Sequence, residues 1–269
     1  MVATAIEFRQ VYKSFNHIPI LAGMDLTIRS GETVTIIGGS GIGKSVTLKL
    51  IVGLLKPEAG QILIEGEDVV PLAEDHLIGI RKKIGMVFQS SALFDSLSVA
   101  GNIAYPLREH TAMSEWEIRE RIMETLRLVG LEGTEDKEPA ELSGGMRKRV
   151  ALARAIALAP RIILYDEPTT GLDPTNTEKI NELIVDMNRK LEVTSVVVTH
   201  DMRSAFKVSD RIGLLDKGKI VVVGTPREIE CADLPLVRQF VNGMMASDKS
   251  SSTFKVQGSS GRGKADGGT

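Results

Sequence analysis

One cysteine, Cys231, stands in 269 residues, so no disulfide can close within the chain, a usage that fits a reducing compartment. No stretch approaches the ~20 consecutive apolar residues that span a bilayer. The N-terminus runs straight into Ile6-Glu7-Phe8 without a secretory or transit pattern. Nor is there an excess of one charge: 33 Lys and Arg face 35 Asp and Glu, a formal −2, which removes the global electrostatic case for nucleic acid. The expectation is a cytosolic chain that does not itself cross a membrane, with any charge-driven partner held locally. A hydrophobic fraction of 42% is ordinary for a globular protein, and the length allows one large domain or two small ones.

Short β-rich runs alternate with helical patterns, most clearly at Thr33 to Ile37, Ile162 to Tyr165 and Ser195 to Thr199, which predicts a mainly parallel sheet. Ile6 to Tyr12, Met24 to Ile28 and Gln61 to Ile64 read as further strands, the last after a Pro57-Glu58-Ala59-Gly60 turn. Arg211 to Leu215 and Lys219 to Val223 flank Asp216-Lys217-Gly218 as a hairpin. Between about residues 90 and 160 the character turns helical. Ser114-Glu115-Trp116-Glu117 forms a capping box before Ile118, Ile122, Leu126 and Val129, and Gly130 stops that helix. A second helix is expected from Ser143 to about Leu158, ended by Pro160. From Ser247 onward only Phe254 and Val256 are large and apolar, which reads as a flexible tail.

Residues 38 to 45 read Gly-Gly-Ser-Gly-Ile-Gly-Lys-Ser between a strand and a helix start, a loop suited to curl its N–H groups around phosphate oxygens. The helix N-terminus adds its dipole, Lys44 reaches the β and γ phosphates, and Ser45 holds Mg²⁺. Upstream, Tyr12 closes the first expected strand, where it is either an adenine-stacking ring or an ordinary strand aromatic.

The strand Ile162 to Tyr165 delivers Asp166-Glu167 to the carboxyl end of the sheet, where parallel sheets place their ligands. Asp166 is the expected Mg²⁺ holder and Glu167 the general base that polarises water. His200 emerges in the same way after Ser195 to Thr199 and is placed to reach a γ-phosphate or to orient Glu167. Gln89, after Met86-Val87-Phe88, offers an uncharged amide to Mg²⁺ or water. Read singly, the acid pair is a common surface turn, the histidine commonly structural, and the glutamine unremarkable. Leu142-Ser143-Gly144-Gly145-Met146 then opens a helix with two glycines, each of which weakens a helix by up to about 1 kcal/mol relative to Ala. A cap does not need them, whereas a backbone approached by an anionic ligand does.

This set, in this order, resembles the nucleotide-binding domain of ATP-binding cassette proteins over about residues 6 to 225. The resemblance implies an α/β P-loop NTPase (RecA-like) sheet core with an N-terminal antiparallel β subdomain and an inserted α-helical subdomain. It divides the chain into a nucleotide-binding domain at 1–245 and a tail at 246–269. Tyr12 becomes the adenine-stacking aromatic. Gly38, Gly39, Ser40, Gly41, Ile42, Gly43, Lys44 and Ser45 become the Walker A loop, with Thr47 behind it among the nucleotide-binding positions. Gln89 becomes the Q-loop, Ser143, Gly144 and Gly145 the signature, and Asp166 the end of Walker B. Glu167, Asp173 and His200 become the catalytic glutamate, part of the D-loop and the switch histidine.

The resemblance further implies ATP and Mg²⁺ as cofactors and a second copy that sandwiches ATP between the Walker loop of one chain and Ser143 to Gly145 of the other. Met146, where Gln is commoner, and the run Phe88 to Leu97 look like the bacterial Mce/Mla-type ATPases. That branch implies lipid transport between inner and outer membranes from the cytoplasmic face of the inner membrane. The partners implied are an integral-membrane permease docking near Leu93 and Phe94, a lipid-binding Mce-type subunit and a small cytoplasmic regulatory subunit, with no nucleic acid. An ATPase for an amino-acid or ion importer shares every one of these catalytic motifs. A non-transport ATPase of the same family is the remaining alternative.

Overall fold

A computed structural model of the chain describes residues 3–233 together with 237 and 238. The end of the 1–245 domain and the 246–269 tail, with Phe254 and Val256, lie outside the described residues.

Two sheets organise the chain. The first is antiparallel, in the order β2 (Ile18–Arg29), β1 (Thr4–Phe15), β4 (Ala59–Ile64), β5 (Glu67–Asp68). The strand β1 extends three residues beyond the expected Tyr12 because Asn16-His17 closes a two-residue hairpin that pairs Phe15 with Ile18. Both hairpin residues have positive φ, 49° and 66°, the conformation such a loop requires. A break in register against β4 is accommodated at Gly60, where φ is +94° and a Cβ would come within 2.2 Å of the Gln10 carbonyl oxygen. Only glycine fits there.

The second sheet has the order β10 (Lys219–Gly224), β9 (Arg211–Asp216), β3 (Thr33–Ile37), β8 (Thr194–Thr199), β7 (Ile162–Asp166), β6 (Ile84–Val87). All pairs are parallel except the hairpin β9–β10, which turns on Lys217-Gly218. Every residue of β3, β7 and β8 is buried. That is why these strands read as unbroken apolar runs rather than as alternation. The three lie side by side although they begin at residues 33, 162 and 194, so their carboxyl ends open onto one edge.

The helices α1 (Lys44–Ile51) and α2 (Glu74–Lys82) follow β3 and β5. The insert consists of α3 (Val99–His110), α4 (Glu115–Leu128), a single 3-10 turn at Pro139–Glu141, and α5 (Gly144–Ile156). The capping box on α4 is present, with Ser114 N–H donating to Glu117 and Glu117 N–H to the Ser114 hydroxyl. The helix α5 ends at Ile156, close to the expected end at about Leu158 and ahead of Pro160, with Ala159 at φ 50°. Ile103, Leu107, Ile122, Leu126 and Val150 share one core with Ile163 and Tyr165 of β7. Each such burial contributes about 1.5–3 kcal/mol and fastens the insert to the sheet. The remaining helices are α6 (Pro174–Leu191), α7 (Met202–Val208) and α8 (Pro226–Cys231). Among the described residues no helix is long and apolar enough to cross a membrane.

Candidate active site

The loop after β3 returns to the protein through glycine. A Cβ at Gly38 would lie 2.7 Å from the Leu215 carbonyl oxygen, and one at Gly43 (φ +115°) would lie 2.7 Å from Ile20. At Gly39 and Gly41 it would meet nothing within 4 Å. The loop is therefore pressed against the fold at its ends and open in its middle. Gly43 caps α1 and supplies no side-chain acceptor, whereas α3 through α8 all open with a Ser, Thr or Asp side chain on their first amides. The N-terminal amides of α1 are thus left to another acceptor, and an anion at a helix N-terminus is the natural one.

Lys44, 7% exposed, donates to the carbonyls of Gly38 at 2.9 Å and Gly39 at 3.0 Å, and its Nζ lies 3.7 Å from Glu167 Oε1. Ser45 Oγ donates to Asp166 Oδ1 at 2.8 Å, a bond that joins the loop to the end of β7 across 121 residues of chain. Burial pushes the Asp166 carboxyl above the ordinary carboxylate range, and the Ser45 hydrogen bond opposes the rise. A buried carboxylate and a hydroxyl side by side are hard oxygen donors whose desolvation a divalent cation would offset. The donor set fits Mg²⁺.

Glu167 follows in the left-handed region at φ 47°, with its N–H donating to the Val198 carbonyl at 2.9 Å. Such a backbone costs of order 1–3 kcal/mol in a residue with a side chain and persists where surroundings hold it. They do: Oε2 accepts from Thr199 Oγ1 at 3.2 Å, Thr170 Oγ1 at 3.3 Å and His200 N at 3.4 Å, and it faces His200 Nδ1 at 2.9 Å.

The loop, Glu167 and His200 border a cleft of about 370 Å³, and Asp166 lies beneath it, bonded to Ser45. Ser40, Gly41, Gly43, Lys44, Ser45, Gln89, Glu167 and His200, all singled out in the sequence, border it. Gly38 and Gly39 contribute carbonyls to Lys44 beneath it, and Ile42 packs toward a core that includes Leu21, Leu48 and Leu215. Five residues singled out in the sequence fall elsewhere. Thr47 is fully buried, its hydroxyl donating back to the Gly43 carbonyl. Asp173 caps α6 by accepting from Asn176 N–H at 3.0 Å. Ser143, Gly144 and Gly145 open α5 outside the cleft, with the Ser143 hydroxyl accepting from Met146 N–H.

Tyr12, expected at the adenine, also lies off the cleft. Its ring lies over Gly23 of β2, where an added Cβ would sit 2.8 Å from the phenol oxygen, and it takes no part in the cleft wall. Phe15 and Ile20, either side of the hairpin, line the cleft instead, joined by Val46. The available signal was the Asn16-His17 pair: a two-residue turn there carries the strand on to Phe15.

A family model described as ABC transporter matches residues 21–170. The probable ribonucleotide transport ATP-binding protein mkl of Mycobacterium leprae is 45% identical over 259 residues, 94% of this chain and 75% of that one. The intermembrane phospholipid transport system ATP-binding protein MlaF of Escherichia coli is 40% identical over 243 residues, 90% of each chain. A solved dimeric ATP-binding cassette in a post-hydrolysis state, bound to ADP and Pi, is similar at a TM-score of 0.76 and 38% identity, over 82% of this chain and 99% of its own. Likeness of that extent, over most of the residues that build the cleft, makes the chain a member of the ABC transporter family and an ATP-binding, ATP-hydrolysing cassette.

Proposed function

We propose that this cassette drives phospholipid movement between membranes, working at the cytoplasmic face of a bacterial inner membrane. The observation that carries the reading is the likeness to MlaF along 90% of both chains, since that protein is named for intermembrane phospholipid transport. The mycobacterial relative is named for ribonucleotide transport, but only 75% of its length takes part in the match. The Met146 departure in the signature supports the lipid branch as well.

In this reading Lys44 and the α1 amides bind the ATP phosphates, and Phe15 replaces Tyr12 against the adenine. Ser45, Asp166 and Gln89 are the residues that would hold Mg²⁺, which when bound neutralises charge on the β and γ phosphates. Glu167 is the general base. Its Oε2 is engaged by Thr170, Thr199 and His200, which leaves Oε1 to accept the proton of water once Lys44 turns from it to phosphate. His200 holds the carboxylate in place.

Ser143, Gly144, Gly145 and Asp173 belong to the ATP of a second copy, a role supported by the dimeric cassette the chain resembles. Residues 1–245 act as one nucleotide-binding unit ahead of a tail at 246–269. The exposed Phe94, whose ring centroid is 4.9 Å from that of Tyr105, belongs to the surface for an integral-membrane permease. A lipid-binding Mce-type subunit and a small cytoplasmic subunit complete the assembly.

Tagged Glu167→Gln protein, solubilised with host membranes, tests the assignment by mass spectrometry of what copurifies. A permease with an Mce-type subunit and bound phospholipid is expected. An amino-acid, ion or nucleotide permease would overturn the lipid reading, and soluble nucleic-acid partners would overturn transport.

A further inference from the structure

The segment leaving β6 toward the insert is held in an unusual way. Ser91 and Ala92 both sit in the left-handed region, at φ 66° and 46°. Consecutive side-chain-bearing residues adopt it rarely, and such a backbone persists only where neighbours over-determine it. Two cations of α5 do this. Lys148, 6% exposed, donates its Nζ to the Gln89 carbonyl oxygen. Arg154 donates Nη2 to the Ser91 carbonyl at 3.0 Å and Nη1 to the Ala92 carbonyl at 2.7 Å, and its guanidinium lies 5.9 Å from the Phe94 ring centroid. The planar fork of arginine can satisfy two successive carbonyls at once, which a single ammonium cannot. Asn102 of α3 fixes the far end by accepting from Phe94 N–H at 2.8 Å and donating to the Phe94 and Leu97 carbonyls at 3.1 Å.

Burying an ammonium is unfavourable, and a lysine is seldom found so covered without a strong partner. Here the hydrogen-bond partner is main chain, that of Gln89, which borders the cleft, and the Asp166 and Glu167 carboxylates add attraction at longer range. The helix that supplies both cations also begins with Ser143-Gly144-Gly145.

We propose that Lys148 and Arg154 are positioning residues of the ATPase reaction. From α5 they hold the 89–92 backbone, so that Gln89 stays in the cleft and moves only as the signature end of the same helix moves. The role of Gln89 rests on the function proposed above, whereas the clamp on the loop stands on geometry alone.

The full-length chain tests it with Lys148→Met and Arg154→Met, and with Lys148→Arg and Arg154→Lys as conservative partners. Amide hydrogen exchange is read over residues 88–97 and ATP turnover is separated into kcat and KM. Loss of a charge-assisted hydrogen bond corresponds to roughly tenfold or more in a local opening equilibrium. Exchange in 88–97 should therefore rise about tenfold in the Met variants while that of β7 and α1 is unchanged. The kcat should fall by a similar factor with KM for ATP within about twofold. Lys148→Arg should restore most of the turnover, and Arg154→Lys only part of it. Unchanged exchange in 88–97 would refute the clamp. A loosened loop with wild-type kcat, or a loss borne by KM alone, would refute its part in the reaction. A loosened loop with lowered kcat in a chain where Gln89→Ala keeps full turnover would overturn the route through Gln89 and leave the clamp standing.

Discussion

His200 Nδ1 lies 2.9 Å from Glu167 Oε2, which ties the end of β8 to the residue after β7. The imidazole side chain is 61% exposed while the carboxylate is nearly covered, so the pair reaches from solvent into the protein.

Replacing the base is the first test. Glu167→Gln keeps the shape and removes the proton acceptor, so kcat should fall by about 10²–10⁴ with ATP binding retained. An ATP-stabilised dimer should then accumulate, measured by light scattering on a sizing column. Full turnover by this variant would falsify the assigned base. His200→Ala removes one of four contacts on Oε2 and should cost less, roughly ten- to a hundredfold in kcat.

Lys44→Ala removes a buried ammonium whose acceptors are two carbonyls of its own loop. Truncating one member of a buried charge pair with phosphate costs about 2–5 kcal/mol, so the Kd for ATP should rise roughly 30-fold or more. Calorimetric titration measures it. Wild-type affinity would mean that the phosphates bind elsewhere.

Phe15 and Tyr12 offer a paired comparison, since both are strand aromatics of similar exposure, 41% and 42%, and only Phe15 lines the cleft. Phe15→Ala should weaken ATP by about 1–3 kcal/mol, the worth of a base–aromatic stack, while Tyr12→Ala leaves affinity within about twofold. The reverse order, read from fluorescent-nucleotide titration, would restore Tyr12 to the site.

Gly144→Ala separates folding from assembly. A Cβ there would meet only Leu172 Cδ2 at 3.5 Å, an ordinary contact, and Ala favours a helix over Gly by up to about 1 kcal/mol. The monomer Tm should hold or rise slightly. In the Glu167→Gln background the same change should abolish the ATP-dependent dimer, because the added methyl occupies space assigned to the partner's nucleotide. A dimer that persists would show that the two glycines serve only to open α5.

Much of the site could be read from local chemistry. A glycine loop ending in Lys44-Ser45, an acid pair after an apolar strand and a histidine after another are each contained in fewer than ten residues, and each is a strand end in the fold. The caps of α4 and α5 were legible for the same reason, because Ser114 and Ser143 meet amides three residues on. The far ends of elements were less so: β1 runs to Phe15 because of how it pairs with β2, and α5 stops at Ile156, short of Pro160.

Residue types and short spacings in the chain thus determined which groups are present: a phosphate-binding glycine loop, two carboxylates after an apolar strand, and helices with defined starts. The tertiary structure decided the contacts themselves, including one, Lys148 with Gln89, that nothing in the sequence pointed to. Ser45 reaches Asp166 across 121 positions, Glu167 meets His200 across 33, and Lys148 meets the Gln89 carbonyl across 59. No periodicity carries those pairings. The first two follow from strand order in a buried parallel sheet, where β3, β8 and β7 lie side by side, and the third from the packing of α5 against β6.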